Sequence, residues 1–153
     1  MPKKSFRIEE IAGLRSSDRR AVVFLVGDEC NGKPKFDALA SGKDRVVRAR
    51  MDHWISGAVK DEYFHGWPQS AEYRSCFCFK WKENKVHQRL YGFLCHPDHG
   101  NPRFQVCVLV THDAKTTAES DKTILTAAAR FCSDGEILEQ VRQWLRQRAS
   151  AGR

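Results

Sequence analysis

Residues 73–82 and 86–95 are two strand-length runs of alternating character, separated by the turn-forming pair Glu83-Asn84. Nothing else in the chain narrows its fold so far. Successive side chains of a strand point to opposite faces. Tyr73, Ser75, Phe77, Phe79 and Trp81 therefore share one side of the first run, and Arg74, Cys76, Cys78, Lys80 and Lys82 the other. In the second run Val86, Gln88, Leu90, Gly92 and Leu94 alternate with His87, Arg89, Tyr91, Phe93 and Cys95. So short a break predicts an antiparallel hairpin. A third apolar run, residues 104–112, follows a turn cluster of Pro97, Gly100, Asn101 and Pro102, which extends the prediction to a three-stranded meander.

The flanking segments supply one more strand and the helices. Residues 21–26 are a continuous β-branched and aromatic run ended by Gly27-Asp28, the pattern of a buried strand. Between residues 36 and 56, Val47, Met51, Trp54 and Ile55 recur at helical spacing, predicting a helical hairpin or bent helix. Ser41 with Asp44 resembles a capping box at its start, and Gly57 suits its C-terminal end. Ile124, Ala128, Phe131 and Cys132 mark a further helix; Ile137, Val141, Trp144 and Leu145 mark another, with a capping-box pattern over residues 133–136. The expectation is one α/β (α+β) domain over residues 21–147, an antiparallel sheet of about four strands packed with helices. A loosely attached basic arm, with a short helix near residues 8–14, precedes it over residues 1–20, and a flexible basic tail follows at 148–153.

Composition limits the function classes. With 41% hydrophobic residues, four Trp and nine Phe, the chain can fill a core. Lys and Arg number 26 against 19 Asp and Glu, a formal charge of +7, which favours polyanionic partners. The longest apolar runs are far too short to span a bilayer, and the charged N-terminal residues do not read as a signal peptide. The six cysteines, several inside strand-like runs, read as reduced small hydrophobes, so a soluble protein of the cytoplasm is expected. No phosphate-binding glycine loop occurs, and no cofactor is expected. The stretch Cys95-His96-Pro97-Asp98-His99 invites a zinc reading but lacks paired ligand spacing, so no metal is expected and a turn is the better account. No cysteine sits in an activating motif of the kind a thiol nucleophile needs.

If the cationic sides of the two alternating runs coincide, Arg74, Lys80, Lys82, His87, Arg89 and Tyr91 converge. Such a surface offers phosphate clamps, a ring for base stacking and a titratable group. A solvated sheet face carries the same pattern, and alternation by itself favours that plainer account.

The stretches Glu72-Tyr73-Arg74, Arg89-Leu90-Tyr91-Gly92-Phe93 and Val108-Leu109-Val110-Thr111-His112-Asp113-Ala114-Lys115, in this order of elements, resemble the RelE/HigB superfamily of toxins, in particular its phage-derived branch. The likeness spans about residues 20–130. It implies a RelE-like fold and a metal-independent endoribonuclease that cleaves mRNA, commonly on the ribosome, by attack of a ribose 2′-hydroxyl on the adjacent phosphodiester. It further implies a helix-turn-helix antitoxin as partner, in a hetero-oligomer. Carried over by position, Arg89 would hold the scissile phosphate, Lys115 would add charge stabilisation, and His112 or His87 would move the proton. Arg74, Lys80, Lys82, Tyr91 and Lys122 would position RNA. The chain departs from the family where Lys115-Thr116 replaces two adjacent basic residues. That departure keeps two alternatives open: a non-catalytic phage or mobile-element binding module on the same scaffold, and a gyrase-directed toxin. Arg89 has a plainer account as a salt-bridge partner of Glu72, and His112 as a hydrogen-bonded histidine at a strand end.

Overall fold

Six strands form one mixed sheet, with helices on both of its faces, in a computed structural model that describes residues 6–39, 42–58, 62–115 and 122–151. The strands are β1 (Phe6–Glu10), β2 (Arg20–Gly27), β3 (Phe64–Gly66), β4 (Cys76–Glu83), β5 (Val86–Cys95) and β6 (Gln105–Lys115). The helices are α1 (Gly32–Asp37), α2 (Asp44–Ile55), α3 (Lys122–Cys132) and α4 (Gly135–Ala151). The sheet order is β1-β2-β6-β5-β4-β3, antiparallel throughout except for the parallel pair β2 and β6. The α+β class and the β4-β5-β6 meander agree with the sequence reading.

The sheet is wider than the four strands expected. Residues 6–10 form β1 along β2 rather than a loose arm with a helix. Ile8 packs on the core of the α3–α4 face, so this segment has apolar contacts of its own to bury. The second addition, β3, has three residues and pairs with Phe77 to Phe79 of β4; it is too short to show a period. At the other end α4 runs through Ala151, across the start of the expected tail.

The tight turn of the predicted hairpin is Asn84-Lys85, both with positive φ (48° and 68°), as a two-residue loop between twisted strands requires. Gly57 has φ 93° and donates its N–H to Trp54, ending α2 in the left-handed form that glycine adopts without strain. Ser41 lies outside the described residues, and α2 has no side-chain cap. For α4 the cap is Asp134 rather than Ser133: its Oδ1 accepts from Glu136 N (2.9 Å) and Ile137 N (3.4 Å).

Two cores sandwich the sheet. On one face α1 and α2 lay Phe36, Val47, Met51, Trp54 and Ile55 against Phe24, Phe64, Phe77, Phe79, Trp81, Leu90 and Leu109. On the other face α4 covers Val23, Leu25, Phe93, Val106 and Val108 with Ile137 and Val141, while α3 sets Leu125 and Ala128 on Cys76, Cys78 and Tyr91. No described helix is long and apolar enough to cross a membrane.

A β-bulge between Tyr91 and Gly92 divides β5 and β6 into two registers. Before it Gly92 opposes Leu109; beyond it Tyr91 opposes Thr111, and Val110 is the extra residue. A Cβ on Gly92 would lie 2.0 Å from the Val108 carbonyl oxygen, so only glycine permits this approach.

Candidate nucleic-acid interface

Past the bulge, β4, β5 and β6 extend as three parallel rows of opposed residues on the α3–α4 face. Cys78, Tyr91 and Thr111 form the first row, Lys80, Arg89 and Asp113 the second, and Lys82, His87 and Lys115 the third. Directly opposed side chains on one face have Cβ atoms about 4.5–5.5 Å apart, and opposed like charges are destabilising. Lys80 and Arg89 bring two like charges side by side, and Asp113 faces Arg89 from its other side. The register answers the question alternation left open: the cationic sides of the two strands are the same side. For Lys115 only its backbone position, opposite His87, is described.

A cleft of about 480 Å³ lies at this end of the sheet. Its walls include Lys80, Lys82, His87 and Arg89, together with Arg50 of α2, Glu62 and Tyr63 ahead of β3, and Trp81 and Gln88. Among the described lining residues four fixed cations stand against one carboxylate, a balance suited to a phosphate-bearing ligand. The Arg50 guanidinium lies 3.5 Å over the Tyr63 ring, a cation–π contact at the cleft wall. Arg50, Glu62 and Tyr63 were not among the predicted site residues. The available signals were the short aromatic pair Tyr63-Phe64 and a cation on the flank of the α2 stripe, and neither has a period to reveal it.

Four predicted residues fall elsewhere. His112 is on the opposite face from Arg89. The sequence reading ended the third meander strand at His112, whereas β6 continues to Lys115, and residues three apart on a strand face opposite sides. There His112 Nε2 is 2.7 Å from Gln88 Oε1, its ring is 5.9 Å from that of Trp81, and its backbone N–H donates to Asn31 Oδ1 at 2.7 Å. Burial, followed by the charge of Lys35, lowers its pKa. It is hydrogen-bonded, as the plainer account expected, but within β6 rather than at its end, and His87 is the histidine at the cationic rows.

Tyr91 is fully buried beneath α3, its ring stacked 6.4 Å from Trp67 and its hydroxyl accepting from Arg89 Nη1 at 3.3 Å, so it cannot stack on a base. Arg74 lies in the turn before β4, not on the strand. With Glu72, Leu94 and His96 it lines a separate hollow at the far end of β5. That position also removes Glu72 as a partner for Arg89, which is 7% exposed and opposes Asp113 instead. Lys122 is exposed at the start of α3 and lines a shallow hollow with Thr126 and Arg130 on the helix surface.

The cysteines are neutral. Burial pushes the Cys76 thiol up to about 11 and that of Cys78 to about 12, which removes them as nucleophiles near neutrality. In the 95–99 stretch, Asp98 Oδ1 accepts from Gly100 N and Asn101 N, a turn, and among the described residues no three His, Cys, Asp or Glu side chains gather as a metal site. Comparisons with protein-family models, with curated proteins and with solved structures find no match to this chain.

Proposed function

We propose that this protein is an RNA-directed toxin of RelE/HigB type, a metal-independent endoribonuclease acting on mRNA at the ribosome and restrained by a helix-turn-helix antitoxin. The observation that carries the reading is the pair of adjacent cross-strand rows, Lys80 with Arg89 and Lys82 with His87 and Lys115, at a cleft of nucleotide size. The reading is also supported by the β4-β5-β6 meander leading into α3, although Glu72-Tyr73-Arg74 lies in the turn ahead of β4.

In this reading the cations of Arg89 and Lys80 hold the scissile phosphate. His87 takes the proton of the ribose 2′-hydroxyl as its oxygen bonds to phosphorus. The bond from phosphorus to the 5′ oxygen breaks, and Lys82 gives a proton to the departing oxygen. The products are a 2′,3′-cyclic phosphate and a free 5′-hydroxyl. The charge that builds on the phosphorane is offset by the neighbouring cations.

A non-catalytic RNA-binding module is the second reading, favoured by the burial of Arg89 against Tyr91. Induced expression in a bacterial host, with mapping of ribosome-bound mRNA ends, separates the two. The toxin reading expects growth arrest and new mRNA ends, both abolished in His87→Ala and Lys82→Ala while the melting temperature stays unchanged. Arrest that persists in both variants overturns it, and RNA binding without new ends selects the binding module.

A further inference from the structure

The two outer edges of the sheet are finished differently. An exposed strand edge presents unpaired backbone groups, which proteins commonly blunt by shortness, lysine, proline or a bulge. At one end β3 is three residues long. At the other, β1 pairs with β2 in unbroken register from Phe6 to Glu10 and contains neither lysine nor proline. Among the described residues nothing but β2 bonds to its backbone, so its outer N–H and C=O groups are open to a further strand. Phe6 and Ile8 turn toward the α3–α4 face. By alternation Arg7 and Glu9 share the α1–α2 face, where Glu9 lies 3.8 Å from Lys33 of α1. Arg7 Nε is 2.7 Å from Glu9 Oε1, and the arginine side chain is 67% exposed.

We propose that β1 is the interface of a symmetric dimer, two copies of this chain pairing antiparallel, edge to edge, with Ile8 opposite Ile8. The charges of β1 select that register. An antiparallel pair that engages most of β1 and keeps like faces together centres on Arg7, Ile8 or Glu9, since a one-residue slip would exchange the faces. Centred on Arg7 it opposes two arginines, and centred on Glu9 two glutamates; opposed like charges are destabilising. Centred on Ile8 it sets Arg7 of each copy opposite Glu9 of the other, two opposite-charge pairs about an apolar centre. Phe6 then faces Glu10 of the second copy, a carboxylate that Trp144 Nε1 holds at 3.1 Å in its own chain. Two six-stranded sheets become one of twelve strands. β4 is the fifth strand from the join, so at a spacing of about 4.8 Å the two cleft strands lie roughly 43 Å apart. Pairing through β1 leaves both clefts open and does not depend on what binds there.

Sedimentation velocity of the full chain over a concentration series is the test. The parent should dimerise. Arg7→Glu or Glu9→Arg, each of which turns two attractive pairs into two repulsive ones, should weaken the dimer about tenfold. Both substitutions in one chain exchange the charges and should recover the parent affinity to within about threefold, as coupled neighbours do. An equimolar mixture of the two single variants should form a heterodimer, because each supplies the charge the other lost. Such recovery comes only from an interface, not from damaged folding. A parent that stays monomeric to about 0.5 mM overturns the proposal, as does a dimer unmoved by either single substitution, or a loss that neither the exchange nor the mixture recovers.

Discussion

The two faces of the sheet are built from the same strands but end differently. On the α1–α2 face apolar side chains continue along β4 through Phe77, Phe79 and Trp81, and the cover extends over Leu90 and half-buries His112. On the α3–α4 face the buried residues of β4 and β5 are smaller near α3, Cys76 and Cys78, and the last apolar row is the one containing Tyr91. The next two rows are Lys80-Arg89-Asp113 and Lys82-His87-Lys115. His112 on the first face is half-buried and hydrogen-bonded to Gln88, while His87 lies past the last apolar row of the second. The candidate site exists because strands outrun their apolar cover on one side only.

The strongest way to break this contrast is to remove the bulge that separates the two registers. In Gly92→Ala the new methyl meets the Val108 carbonyl 2.0 Å away, backbone against backbone. Overpacking of this kind should cost about 3 kcal/mol. Urea denaturation checks it, and stability equal to the parent would mean that the close approach does not set the bulge.

A smaller effect is expected from Lys80→Ala with Lys82→Ala, which empties the cationic face without touching the aromatic one. Affinity for single-stranded RNA should fall about tenfold, and the slope of log affinity against log salt should shrink by roughly 1.4, two phosphate contacts at about 0.7 each. Stability should stay within about 0.5 kcal/mol, as for surface substitutions generally. Unaltered RNA affinity and salt slope would return this face to an ordinary solvated surface.

The mildest change tests the half-buried His112. Its folded-state pKa lies below the unfolded value near 6.5, so the unfolded chain binds the proton more readily. The stability it contributes is present above about pH 6.5 and is lost as pH falls through its lowered folded pKa. Melting temperatures between pH 7 and pH 5 should therefore fall less in His112→Gln than in the parent, with RNA binding the same. A loss of RNA cleavage in this variant at pH 7.5, with folding intact, would put His112 back among the acting residues.

Periodicity made much of the architecture readable. The α2 stripe of Val47, Met51, Trp54 and Ile55 is buried as its spacing requires, and the hairpin at residues 83–86 follows from two alternating runs with too few residues between them for anything but a tight turn. Because Lys80 and Arg89 are both on the polar phase of such runs, their shared face was also within reach of the sequence. The three-residue β3 was not, since a period needs repeats. Arg74 was misplaced because β4 begins at Cys76, three residues later than the pattern suggested.

By itself, then, the chain order of hydrophobic and charged residues determined the helices, the meander and which cations share a phase, since these depend on local spacing. The tertiary structure alone decided that β6 runs on to Lys115, that a bulge resets the pairing at Gly92, and that Arg50, Glu62 and Tyr63 meet the cationic rows at one cleft. These are contacts between residues far apart in sequence. Their geometry depends on how strands and a helix pack against one another, and no local pattern encodes it.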